Sequence, residues 1–234
     1  MALVHSPKIV IDNLVSYVDA ANTKSYPGTG TSWTDLSGNG NNITLSSSGI
    51  SYDSTDGGGS IVFDGTDGEG SNSLSIDNID DNGGSLEVWC KITDTSYHRH
   101  IAGWRSSTDA FYLLLLNNSG SIEARAKYSN TNRDIVSSDY GTSFWVNNWN
   151  QIVFTLNRSD NKTRLYLNGS LIGTSSSTVG SFGTNNLFEL MHTDNLSNAT
   201  SAGKLSQVRV YSGKALTAAE VKQNYNAHKG RFGL

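Results

Sequence analysis

The segment FDGTDGEG (63–70) sets Asp64 and Asp67 three residues apart among glycines. Further carboxylates gather nearby at Asp53, Asp56, Asp77, Asp80 and Asp81. Clustered oxygen donors suit a hard cation, which makes Asp64 and Asp67 candidate calcium ligands and calcium the one cofactor to consider. The spacing matches no EF-hand loop, and Asp is also an ordinary turn former, so a plain turn is the competing reading. His98 and His100 alternate onto one side of a strand pattern. Two histidines alone do not make a zinc site.

Aromatic side chains could instead make a sugar platform. Trp89 in SLEVWCKI lies opposite the Leu86, Val88 and Cys90 face, and Trp104 follows the polar run YHRH (97–100). Tyr112 and Tyr128 fall on neighbouring strand patterns. With His98, these four form the carbohydrate-binding candidate set. The competing reading buries Trp89 and Tyr112 beneath a second layer, since large aromatics are mostly buried. Exposure of Trp89, Trp104, Tyr112 and Tyr128 therefore decides whether this set can hold a sugar.

The Gly-rich stretch YPGTGTSWTDLSGNGNN (26–42) invites comparison with a phosphate loop. It lacks the G-x-x-x-x-G-K-S/T pattern, and no helical period follows it. Pro27-Gly28, Ser37-Gly38 and Asn39-Gly40 read as turn pairs, with Trp33 as the anchor of the loop. No G-x-S-x-G motif is present, and Cys90 sits on the apolar side of its strand, where a thiol is inert.

Composition narrows the classes further. Of 234 residues only 16% are charged, and the formal net charge is −4. Nucleic-acid binding through clustered Lys and Arg is not expected from this balance. The single cysteine can form no intrachain disulfide. The N-terminal MALVHSPKIVIDNL lacks the basic and apolar regions of a secretory signal, and no apolar run approaches a membrane helix. The expectation is a soluble chain without membrane partners.

Period-two alternation over short runs bounded by turns is the dominant pattern. SLEVWCKI (85–92), FYLLLL (111–116) and WNQIVFTL (149–156) are the clearest strands, and FYLLLL is apolar on both faces. Further strands are expected at 14–18, 60–64, 73–77, 121–128, 186–191 and 205–211. In RLYLNGSLIGT (164–174), Asn168-Gly169 predicts a two-residue type I′ hairpin. One helix is expected over 217–228: Thr217 and Glu220 make a capping box, Leu216 and Val221 a hydrophobic staple. Many short strands at this spacing indicate an all-β fold, a two-sheet antiparallel sandwich or jelly roll, in one domain over 1–234, with an N-terminal segment (1–13), the short C-terminal helix and a tail (229–234).

Three stretches carry a family resemblance. They are LVSYVDAANTKSYPGTGTSWTDLSGNGNNITL (14–45), SLEVWCKI with WNQIVFTLNRSDNKTRLYLNGSLIG (149–173), and LSQVRVYSGKALTAAEVKQNYNAHKGRFG (205–233). Together they resemble the laminin-G-like, concanavalin A-like lectin/glucanase superfamily. The opening VDAANTKSYPGTGTSWTDLSGNGN and the closing NYNAHKGRFG are most similar to versions in virion proteins of tailed phages, where the domain is an accessory module. That resemblance implies a non-enzymatic decoration protein on the particle exterior, with virion proteins as partners and weak binding to cell-surface polysaccharide. The alternative is a bacterial carbohydrate-binding lectin, secreted or at the cell surface. A third reading is a glycan-cleaving enzyme. Glucanases of this superfamily place paired acids on one strand, whereas SIEARAKY holds only Glu123 and SLEVWCKI only Glu87.

Overall fold

A computed structural model describes residues 8–80, 82–94, 98–115, 120–183, 185–192 and 200–234. The start of the N-terminal segment, Asp81 and the last leucine of FYLLLL lie outside them. The fold is a jelly-roll sandwich of two antiparallel sheets, as the strand spacing and the resemblance together lead one to expect.

The first sheet runs, in spatial order, through Ser170–Thr174, Lys162–Leu167, Trp149–Asn157, Gly84–Ile92, Ala202–Ser212, Ser60–Asp64 and Ile50–Asp53. Leu14–Asp19 pairs along the second half of Ala202–Ser212. The second sheet runs through Thr131–Val136, Ile122–Tyr128, Ala110–Leu115, Arg99–Arg105, Phe188–Leu190, Gly70–Asn72, Ile43–Leu45 and Ser32–Trp33.

Alternation decides what each sheet turns inward. Leu86, Val88, Cys90, Ile152 and Phe154 of the first sheet meet Phe111, Leu113 and Ala124 of the second in one apolar core. Phe111 and Phe154 stack across the sandwich with ring centroids 4.1 Å apart. Trp33 is buried in the same core, so the tryptophan of the Gly-rich stretch does anchor its loop.

Asn168 and Gly169 take φ of 51° and 77°, the left-handed pair that a type I′ hairpin requires. The helix spans Ala218–His228 with Thr217 as N-cap, and the capping box with Glu220 is formed. The expected strand at 73–77 is not one. The sheet uses Gly70–Asn72 instead, and Asp77–Asp80 is a helical turn. The side chain of Asn72 accepts from Leu74 N–H, and that of Ser75 accepts from Asp77 N–H. These local bonds replace the ladder and lift the chain off the sheet.

The centre of the outer face of the first sheet is not open to water. The C-terminal helix and the turn Lys229–Phe232 lie over it. Beneath them Glu87, Gln151, Gln207, Arg209 and Asn224 are all buried. Glu87 accepts from Arg209, Gln151 and Asn224 at 2.7, 2.9 and 2.7 Å. Arg231 of the tail reaches Asp19 at 2.9 Å. The tail therefore covers a sheet face.

Candidate functional site

The five predicted sugar-binding residues do not converge. Trp89 is fully buried, stacked between Phe232 and Tyr225. Trp104 is fully buried in the core, against Phe188, and donates its indole N–H to the Leu74 carbonyl. Neither indole has a face left for a sugar. The reasons differ: Trp89 stands on the outer face of its strand, which the C-terminal turn covers, whereas Trp104 faces inward into the core between the sheets.

Tyr112 does point to the outer face of the second sheet, yet it is 1% exposed. The guanidinium groups of Arg105 and Arg125 lie 5.2 and 5.8 Å from its ring centre. Arg105 also donates to its hydroxyl at 3.0 Å. Burial pushes that hydroxyl up to about 12, so it stays protonated.

Tyr128 is half-buried against Arg133, and His98 is exposed. They belong to opposite ends of the sheet. Lys127 pairs with Ala110 and then Arg105, whereas Arg99 pairs with Leu115 and then Ile122. A strand of this length separates them by about 20 Å.

The outer face of the second sheet is closed by charge. Arg125 makes a two-pronged pair with Asp134, at 2.8 and 2.7 Å. It also lies 3.0 Å from Glu123 as an ion pair. Burial pushes the Glu123 carboxyl upward, and the Arg125 charge opposes that shift. His100 beside them is held down at about 3 by burial and is neutral. The two acids thus share one guanidinium in place of facing a common substrate gap.

Asp64 ends the strand Ser60–Asp64, and Asp67 lies in the turn that follows; both are exposed. Asp64 Oδ1 accepts from the N–H groups of Thr66, Asp67 and Gly68, at 2.8, 3.2 and 3.2 Å. Those bonds hold its carboxyl below the usual range. Among the described residues no group of three or more metal-ligating side chains gathers.

An open groove lies elsewhere, where the edges of the two sheets meet. The turn of YPGTGT (26–31) forms one wall, and the edge strand Ile50–Asp53 with Ser46 and Ser47 forms the other. It encloses about 350 Å³. Half-buried Tyr52 lines it and packs on Tyr26, which is only 3% exposed; their ring centres lie 5.5 Å apart, with the planes tilted by 57°. The Tyr26 hydroxyl donates to Gly30 O at 2.9 Å and closes the turn; the Tyr52 hydroxyl donates to Ala20 O at 3.1 Å. Gly28, at φ 94°, brings its backbone against the Tyr52 ring, where an added Cβ would stand 3.3 Å from the ring edge. Thr29, Thr31, Ser47 and Ser51 are exposed around the rim. Their hydroxyls have no protein partner among the described residues. Ser46 is spent: it donates to Ser48 O and accepts from Glu69 N–H.

Sequence reasoning passed over these residues because it read YPGTGT as turn chemistry alone. The available signal was a tyrosine at the head of a Gly/Thr run, with a second tyrosine in the next alternating strand, ISYD.

Comparison with known proteins bears on the fold. No curated protein sequence matches the chain. The family model Laminin_G_3, described as the concanavalin A-like lectin/glucanases superfamily, matches residues 63–222. Among solved structures, the binding domain of Paraclostridial Mosquitocidal Protein 1 is similar at TM-score 0.71 and 19% identity, over 93% of this chain and 52% of that one. Domain 4 of AbnA, a GH43 extracellular arabinanase from Geobacillus stearothermophilus in complex with arabinotriose, is similar at TM-score 0.68 and 18% identity, over 91% and 98%. The binding domain of botulinum neurotoxin DC in complex with SialylT gives 0.70 and 14%, over 93% and 52%. The chain thus spans about half the length of the toxin binding domains it resembles. With the family model covering most of its length, the chain belongs to the concanavalin A-like lectin/glucanase superfamily.

Proposed function

We propose that the chain is a non-enzymatic carbohydrate-binding module. The observation that carries this reading is the groove between YPGTGT and Ile50–Asp53, where the half-buried Tyr52 ring, backed by Tyr26, meets a rim of unengaged hydroxyls. A Ser or Thr hydroxyl both donates and accepts, which matches the hydroxyls of a sugar. Ring faces and edges supply the apolar surface a sugar's C–H groups need. The volume falls within the range of small-molecule sites. Similarity to a carbohydrate-bound domain supports the reading through the fold alone.

The non-enzymatic part rests on Arg125, which engages both Glu123 and Asp134. A retaining or inverting glycosidase needs two carboxyls flanking an open gap. A printed-glycan screen with the full chain, alongside a reducing-end assay on the glycans retained, tests both halves. Retention without new reducing ends is expected; released ends that disappear in Glu123→Gln would replace this reading with the glycan-cleaving one.

The setting we propose is the exterior of a tailed-phage particle, with virion proteins as attachment partners and cell-surface polysaccharide as the ligand source. It rests on the resemblance of VDAANTKSYPGTGTSWTDLSGNGN and of the GRFG ending. Mass spectrometry of purified particles tests it; consistent absence of the chain would leave the bacterial lectin setting.

A further inference from the structure

The groove residues also bear on which saccharides it takes. We infer that the Tyr26/Tyr52 groove selects uncharged saccharides and rejects acidic ones, an inference that rests on the carbohydrate-binding reading. The groove lies N-terminal to residues 63–222, the span the family model matches.

Its lining contains no charged side chain: tyrosine, glycine, threonine, serine and Ile50 make up the whole of it. Every polar group offered to a ligand is a neutral hydroxyl or a backbone amide. Charges stand outside the lining: Asp53, at the end of the wall strand, is paired with Lys204 at 2.8 Å, and an acidic turn lies behind the other side. Asp67 Oδ1 lies 2.6 Å from where a Cβ on Gly49 would stand, which places the acidic turn of residues 64–69 directly behind the 46–50 wall. Glu69 N–H is bonded to Ser46 itself. Lys24 precedes the loop but does not line the groove. Moving a carboxylate into a partly enclosed site without a cationic partner is costly, while a neutral hydroxyl exchanges water for Ser and Thr partners. The formal net charge of −4 acts in the same direction at longer range.

Both tyrosine hydroxyls donate to backbone carbonyls, so toward a ligand they can only accept. The side-chain donors offered to neutral sugars are therefore the hydroxyls of Thr29, Thr31, Ser47 and Ser51.

The test is calorimetric titration of the full chain with neutral trisaccharides (arabinotriose, cellotriose, maltotriose) and with acidic ones (trigalacturonic acid, sialyllactose), at low and high salt. Binding of at least one neutral trisaccharide in the millimolar range or tighter, independent of salt, is expected. Tyr52→Ala should weaken it at least tenfold. Thr29→Trp, at an exposed position, should block the groove while leaving the fold and melting temperature intact. Tighter binding of an acidic sugar that weakens with salt would overturn the selectivity and leave the carbohydrate-binding reading standing. Neutral binding unchanged in folded Thr29→Trp would overturn the placement. Failure of the folded chain to bind either class would overturn both.

Discussion

The Trp89 indole lies parallel to the Phe232 ring, with centroids 4.1 Å apart and planes 12° from coplanar. Phe232 also leans on Trp149 at 4.9 Å, and Tyr225 of the helix stacks near Trp89 at 5.9 Å. The last residues of the chain thus complete a small apolar cluster on the outer face of the first sheet. A side chain that looked available for a ligand is spent on holding the C-terminus.

Replacing Phe232 with alanine should therefore destabilise the fold by about 3 kcal/mol, the low end for a buried phenylalanine. Urea unfolding followed by tryptophan fluorescence reads this directly, because Trp89 and Trp149 report on the same cluster. An unchanged midpoint would mean that the tail does not hold the sheet.

Glu87 and Arg209 form a fully buried ion pair at 2.7 Å. Arg209→Met leaves a carboxylate without its cation and should cost about 3–5 kcal/mol. The double variant Glu87→Gln/Arg209→Met should recover much of that loss, because no buried charge then lacks a partner. Denaturant melts of the two single variants and the double measure the coupling. Simple additivity would show that the pair is not coupled.

Two histidines make stability depend on pH. Burial holds His100 at about 3; burial, then the nearby Arg209 charge, holds His228 at about 4. Unfolded, each takes a proton near pH 6.5. Between pH 6.5 and 4 the unfolded chain therefore binds protons that the folded chain refuses, and stability falls as pH falls. The slope approaches about 1.4 kcal/mol per pH unit for each group. Melts at pH 7, 6, 5 and 4.5 check the sign, and His228→Asn should flatten the curve by one proton's share.

Cys90 is buried on the core side of its strand, and burial pushes its thiol up to about 12. A disulfide reagent should leave the native chain unmodified for hours and label one thiol at once in denaturant. Fast labelling of the native chain would show that the first sheet opens readily.

Much of this protein is legible from local pattern. Leu86, Val88, Cys90 and Ile92 declare the inward face of their strand because side chains alternate with period two. Asn168-Gly169 declares its hairpin because two consecutive positive φ angles favour few residue pairs. Thr217 and Glu220 declare the helix start because the capping box is local. The strand expected at 73–77 failed because Asn72 and Ser75 offered their own backbone a nearer partner than the sheet did.

The site was legible only in part. Alternation assigns Trp89, Trp104 and Tyr112 to a face of a strand, but whether that face meets water depends on what the rest of the chain lays over it. Phe232 and Tyr225 cover Trp89, Leu74 and Phe188 enclose Trp104, and two arginines close over Tyr112. Likewise nothing local pairs Tyr26 with Tyr52. They meet because the Gly-rich turn at one sheet edge folds against the edge strand of the other. Local sequence dictates strand, turn and face through short-range sterics and hydrogen bonds; exposure and convergence are long-range properties, decided only when the sheets pack.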